Sequence, residues 1–124
     1  MKFRVARHTN NIDSIINFYR NILGLEILGE FKNHDNYDGI FLGFKNKDWH
    51  LEFTVSNEKP IHNFDDDDLL VFYCDSQDEY QVIKDRFRKN HIEEVQAKNP
   101  YWNLNGITYL DPDGFRVVIS LTQI

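Results

Sequence analysis

His50 and Glu52 stand two residues apart in the stretch "WHLEFT", residues 49–54. If that stretch is a β-strand, both side chains leave the same face. An imidazole beside a carboxylate can be half of a metal site, a general acid/base pair, or two solvated polar groups. Arg4, in "KFRVAR", is the complementary candidate, because its fork of donors suits a carboxylate or a phosphate. Other chemistry is poorly represented. The six glycines are scattered and form no phosphate loop, and no Ser–His–Asp arrangement stands out. Cys74 falls on an apolar strand position with no evident base, which disfavours covalent catalysis. The acidic run 65–68 lacks the interleaved spacers and the glycine of a calcium loop and reads as a solvated loop.

The elements that must position these residues follow from periodicity. Residues 2–7 predict a strand. Residues 10–24 then switch to a helical period, with Ile12, Ile15, Ile16, Tyr19 and Leu23 on one face, Asn11 as N-cap and Gly24 just past the end. Strands are predicted at 25–31, 37–44 and 48–55, separated by the polar stretches 32–36 and 45–47. After 56–68 the order repeats: a strand at 69–74, a helix at 76–90, and strands at 92–96, 105–111 and 115–122. Ser76 and Glu79 form a capping box, Tyr80, Ile83 and Phe87 mark the buried face, and "DPDG" at 111–114 is a tight turn. The expected organisation is one domain, 1–124, of α+β class. It comprises two βαβββ modules, 1–55 and 69–124, joined by a linker at 56–68.

Composition narrows the function classes. Twenty acidic against fourteen basic residues give a net charge of −6, the wrong balance for a nucleic-acid or anionic-membrane surface. The amino-terminal residues carry no apolar run of a signal peptide, and no stretch approaches the roughly 20 apolar residues of a transmembrane helix. A single cysteine cannot form an internal disulfide. The expectation is a soluble, cytoplasmic protein.

Alternation assigns faces. Phe3 and Val5, Leu51 and Phe53, Leu70 and Phe72, and Val117 and Ile119 make the faces that helices cover. Arg4, His50, Glu52 and Thr54, with Leu69, Val71, Tyr73, Arg116, Val118 and Ser120, make the opposite faces. That mixture of apolar and placed polar groups suits the two sheets enclosing a ligand cavity.

"NNIDSIINFYRNILGLEIL" and "YLDPDGFRVVIS", in that order and at that separation, resemble the vicinal oxygen chelate superfamily of glyoxalase, bleomycin-resistance and dioxygenase proteins. With "RVAR", "WHLEFT" and "NPYW", the chain looks like a bacterial branch of it. The resemblance implies paired βαβββ modules, often completed by a homodimer. It also implies four metal-ligand positions in metal-dependent members, and these fall on Arg4, Glu52, Leu69 and Val118. Only Glu52 can ligate, so no cofactor is expected, and a divalent metal enters only under the enzymatic alternative.

Two functions stay open beside a purely structural module. One is binding of a small organic molecule in a metal-free cavity lined by Arg4 and Glu52, in the manner of resistance-type sequestration. The other is a glyoxalase-, lyase- or isomerase-type enzyme with Glu52 as catalytic base. The remaining ligand-binding candidates are His50, Tyr37, Tyr73, Tyr101, Trp102 and, as a cationic rim, Arg7, although alternation puts Arg7 on the other face. Tyr101 and Trp102, in the expected loop 98–103, would stack on a planar ligand, or else serve as satellite core or a contact between copies.

Overall fold

The computed structural model describes residues 1–122, which divide into two compact units between His62 and Asn63. The first contains β1 (Phe3–His8), α1 (Ile12–Ile16) continued by a π-helical stretch (Asn17–Ile22), β2 (Glu26–His34), β3 (Tyr37–Gly43) and β4 (Trp49–Val55). Its sheet runs β1-β4-β3-β2, with β1 parallel to β4 and the other pairs antiparallel. The second contains β5 (Leu69–Tyr73), α2 (Gln77–Lys89), β6 (Glu94–Val95), α3 (Pro100–Asn105), β7 (Ile107–Leu110) and β8 (Arg116–Ser120). Its sheet, β5-β8-β7-β6, repeats the pattern with β5 parallel to β8. The fold is thus α+β, with two βαβββ modules. Among the described residues no helix is long and apolar enough to cross a membrane.

In the first unit α1 starts where Asn11 accepts from the Ser14 N–H at 3.2 Å. It does not continue with α spacing. The Leu23 N–H reaches back five residues to the Phe18 carbonyl at 3.0 Å, a π turn that brings Phe18 and Ile22 inward beside Ile15 and Tyr19. Ile12 and Ile16, expected on the buried face, are therefore only half-buried. Gly24, at φ 99°, takes the left-handed conformation that turns the chain into β2. The helix residues pack on Ile40, Leu42, Leu51 and Phe53 of the sheet. Phe3, expected with them, is 63% exposed, because it is the first residue of an edge strand. The separator expected at 32–36 shrinks to two residues. Asp35 and Asn36, both at positive φ, form the tight turn of a hairpin in which His34 pairs with Tyr37.

In the second unit Ser76 caps α2 by accepting from the Glu79 N–H at 3.1 Å, while Glu79 accepts from the Asp75 N–H at 3.0 Å. Ile83 and Phe87 are buried, and the Phe87 ring stacks on Tyr109 at 3.7 Å. Asp111 holds the 111–114 turn by accepting from the Asp113 and Phe115 N–H groups at 2.9 and 3.0 Å, with Gly114 at φ 87°. Two expectations change here. The strand at 92–96 shortens to Glu94–Val95, because the Gln96 carbonyl accepts from Arg116 and Ala97 is bonded on both sides by the Asn103 amide. Residues 98–103 are not loop throughout: from Pro100 the chain is helical. Asn99 accepts from the Tyr101 N–H at 3.0 Å, Pro100 fits the first helical turn, and α3 results.

Cys74 and Tyr109 are buried in this second unit. Burial first, then the charges of Glu79 and Asp75, pushes the Cys74 thiol up to about 11. Burial first, then Glu94 and Tyr80, pushes the Tyr109 phenol up to about 12. Above pH 9 the unfolded chain releases the thiol proton while the folded chain keeps it, so stability must fall as pH rises. We expect denaturant midpoints to be flat up to about pH 8. They should then drop, through pH 9–11 on account of Cys74 and pH 10–12 on account of Tyr109, by about 1.4 kcal/mol per pH unit for each group that titrates only in the unfolded chain. We also expect Phe87→Ala to lower unfolding free energy by about 3–5 kcal/mol, since it removes a fully buried ring and its stacking partner's contact.

Candidate functional site

Register in the first sheet decides which side chains share a face. Arg4 pairs with His50, and His50 with Gly43. Ala6 pairs with Glu52, Glu52 with Phe41, and Phe41 with Gly29. His8 pairs with Thr54, Thr54 with Gly39, and Gly39 with Phe31. All of these lie on the face opposite α1. Rings lie down on it where glycines make room: a Cβ at Gly29 would stand 3.3 Å from the Phe41 ring, and one at Gly39 would run into Phe31.

Arg4 is the centre of this face. Its Nε donates to His50 Nε2 at 2.8 Å, its Nη1 donates to Glu52 Oε2 at 3.2 Å, and its guanidinium lies 4.8 Å from the centroid of Phe41. The Phe41 ring meets His50 edge-on at 5.8 Å and packs against Phe31 at 5.8 Å. An Arg Nε can only donate, so His50 Nε2 must present a lone pair, and the imidazole in this arrangement is neutral with its proton on Nδ1. Exposure is uneven. The Arg4 side chain is 48% accessible and that of Glu52 is 15%, so the cation is the group that meets incoming solutes. In water-facing surroundings such a pair contributes only about 0–1 kcal/mol to folding.

The other candidates divide. Tyr37 is on the same face but at its far end, edge-on to His8 at 6.4 Å. Ser56 and His62 tie the following segment to His8. The Ser56 hydroxyl lies 3.0 Å from His8 Nε2, and His62 Nε2 lies 2.7 Å from the His8 carbonyl. Arg7 stands on the opposite face under α1, where its Nη2 donates to the Tyr19 hydroxyl at 3.1 Å and its guanidinium covers Phe53 at 4.9 Å. Odd and even positions of a strand part company, which is why Arg4 and Arg7 separate. Tyr73, Tyr101 and Trp102 belong to the second unit. Tyr73 ends β5, and Tyr101 meets Trp102 edge-on at 4.8 Å in α3. Sequence reasoning missed Phe41. Its signal was the alternation of 37–44, which sets Phe41 against Ile40 and Leu42.

The residues at the four positions that the resemblance implies are poor donors for a divalent ion, each taken by itself. Arg4 has no lone pair to offer, Leu69 and Val118 are hydrocarbon, and the Glu52 carboxylate is engaged by Arg4. Among the described residues no three His, Cys, Asp or Glu side chains converge on a point that could hold a metal. Nor does Cys74 offer a nucleophile, since its raised pKa keeps it a thiol near neutrality.

Comparison with known proteins agrees with this architecture. Residues 3–54 match the YycE-like N-terminal domain, and residues 67–120 match the YycE-like C-terminal domain. The uncharacterised protein YycE of Bacillus subtilis (strain 168) is 40% identical over 120 residues, covering 94% of this chain and 85% of that one. The crystal structure of a Bacillus subtilis YycE protein superposes with a TM-score of 0.87 at 38% identity, covering 99% of this chain and 90% of that one. More distant structures share the fold alone. The trypanothione-dependent glyoxalase I of Leishmania major has a TM-score of 0.72 at 17% identity, covering 94% and 83% of the two chains. The fosfomycin resistance protein FosX of Listeria monocytogenes, solved with Mn(II) and 1S,2S-dihydroxypropylphosphonic acid, has a TM-score of 0.71 at 10% identity, covering 98% and 91%. With both modules matched and a relative this similar along nearly its whole length, the chain belongs to the YycE-like family.

Proposed function

We propose that the protein binds a small organic anion on the first-sheet face around Arg4, without a metal, in the manner of resistance-type sequestration. The observation that carries this reading is the half-exposed guanidinium laid over Phe41 and held from two sides by His50 and Glu52. Such a group is oriented before a ligand arrives, and a preorganised donor loses less freedom on binding. Phe41 and Phe31 add a flat apolar floor for the rest of the ligand. The phosphonic acid bound by the Listeria FosX is also an anion. Its Mn(II) does not carry over, because the residues here do not make a donor set for it. Glu52 as a catalytic base is the weaker reading, since its carboxylate would first have to leave Arg4.

A cytoplasmic location fits a lone reduced cysteine. A homodimer fits the partly exposed Ile27 and Leu28 on edge strand β2. In sedimentation at micromolar concentration we expect a dimer, and a monomer would refute that assignment.

The binding reading is tested by thermal-shift and calorimetric titration with small carboxylates and phosphonates. We expect binding to wild type that survives exhaustive chelation, and at least a ten-fold loss in Arg4→Ala, with a cooperative unfolding transition retained in that variant. Stoichiometric metal in protein purified without chelator, with binding lost on its removal, would refute it. Glu52→Gln should keep the binding. Turnover of a bound compound that this substitution abolishes would instead establish the base.

A further inference from the structure

His50 makes the contacts that a ligand of Arg4 would be expected to make. Its Nε2 lone pair accepts from Arg4 Nε at 2.8 Å, and its ring stands edge-on to Phe41, interplanar angle 85°, beside the guanidinium that covers the same ring. A carboxylate is held best by two parallel N–H groups of one guanidinium edge. Nε carries a single hydrogen and gives it to His50, while Nη1 carries two and gives one to Glu52. A carboxylate that takes the Nε/Nη2 edge therefore displaces His50, and one that approaches at Nη1 competes with Glu52.

The two displacements differ in consequence. Moving Glu52 off Arg4 would leave a mostly covered carboxylate, 15% accessible, without its cation. Moving His50 off leaves no charge unpaired, because the imidazole that accepts from Arg4 is neutral, and a half-buried ring near the surface can rotate outward. The Nε/Nη2 edge is thus the one a ligand can take. A group that replaces both contacts of the imidazole needs an anionic acceptor pair for Arg4 and a planar ring for Phe41.

We propose that His50 is an internal stand-in for the ligand, and that the compound replacing it is an aromatic carboxylate, its anion on the Nε/Nη2 edge of Arg4 and its ring against Phe41. This rests on the anion-binding reading of Arg4 given above. It assigns His50 the role of a competitor that sets the affinity threshold.

Calorimetric affinities for benzoate and acetate on wild type, His50→Ala, His50→Gln and Arg4→Ala test it. Removing the competitor in His50→Ala is expected to tighten benzoate binding about ten-fold, the worth of one hydrogen bond no longer displaced. Acetate should gain less, because it cannot replace the ring contact. His50→Gln, which keeps an acceptor without the ring, should stay within a few-fold of wild type. Benzoate bound no more tightly by His50→Ala than by wild type, with Arg4→Ala abolishing binding, overturns the stand-in role and leaves the Arg4 site intact. Binding that Arg4→Ala does not weaken, or no carboxylate binding by any of the four proteins, overturns both.

Discussion

The parallel pairing of β1 with β4 places a guanidinium beside an imidazole and within reach of a carboxylate, and everything distinctive about the first module depends on that contact. Arginine stays protonated at any pH the fold survives, so the cluster always contains a fixed cation with more donors than its two partners can satisfy. Glu52 neutralises it on one side. His50 is obliged to meet it with a lone pair. Phe41 lies beneath and keeps the guanidinium plane oriented.

The two modules repeat one topology and spend it differently. In the first, the face away from the helix carries Arg4, His50 and Glu52 among glycines that let Phe31 and Phe41 lie flat. In the second, the corresponding positions on β5 and β8 carry Leu69, Val71 and Val118, which pair directly across the parallel ladder or sit one step apart. The second module instead gains α3, anchored where Asn103 bonds Ala97 on both sides and where a Cβ on Gly106 would collide with Val118 and the Ile119 carbonyl. The first module gathers polar and aromatic groups on that face, and the second gathers aliphatic ones beside Arg116.

Arg4 and Arg7 show how strand position alone sends two similar side chains into different surroundings. Both guanidiniums cover an aromatic ring at nearly the same distance, 4.8 and 4.9 Å. Arg7 is held by the Tyr19 hydroxyl beneath α1 and stiffens the core face. Arg4, three residues earlier, faces away from the helix with its side chain 48% accessible. Strand parity alone separates them.

The sequence by itself determined the order of the eight strands and of α1 and α2, the N-caps of those two helices, the turn at 111–114 and the grouping of Arg4, His50 and Glu52 on one face. These follow from period, local turn chemistry and alternation, all of which act between residues close in the chain. Tertiary structure decided the rest. The π turn after Ile16 answers to how Phe18, Tyr19 and Ile22 fit against the sheet, which no local propensity encodes. The register that puts Phe41 beside Glu52 and lays it under Arg4 depends on β3 and β1 pairing with opposite edges of β4. The partnership of Arg4 with His50 spans 46 residues, and it exists only because a parallel pair of strands, distant in the chain, brings the two into line.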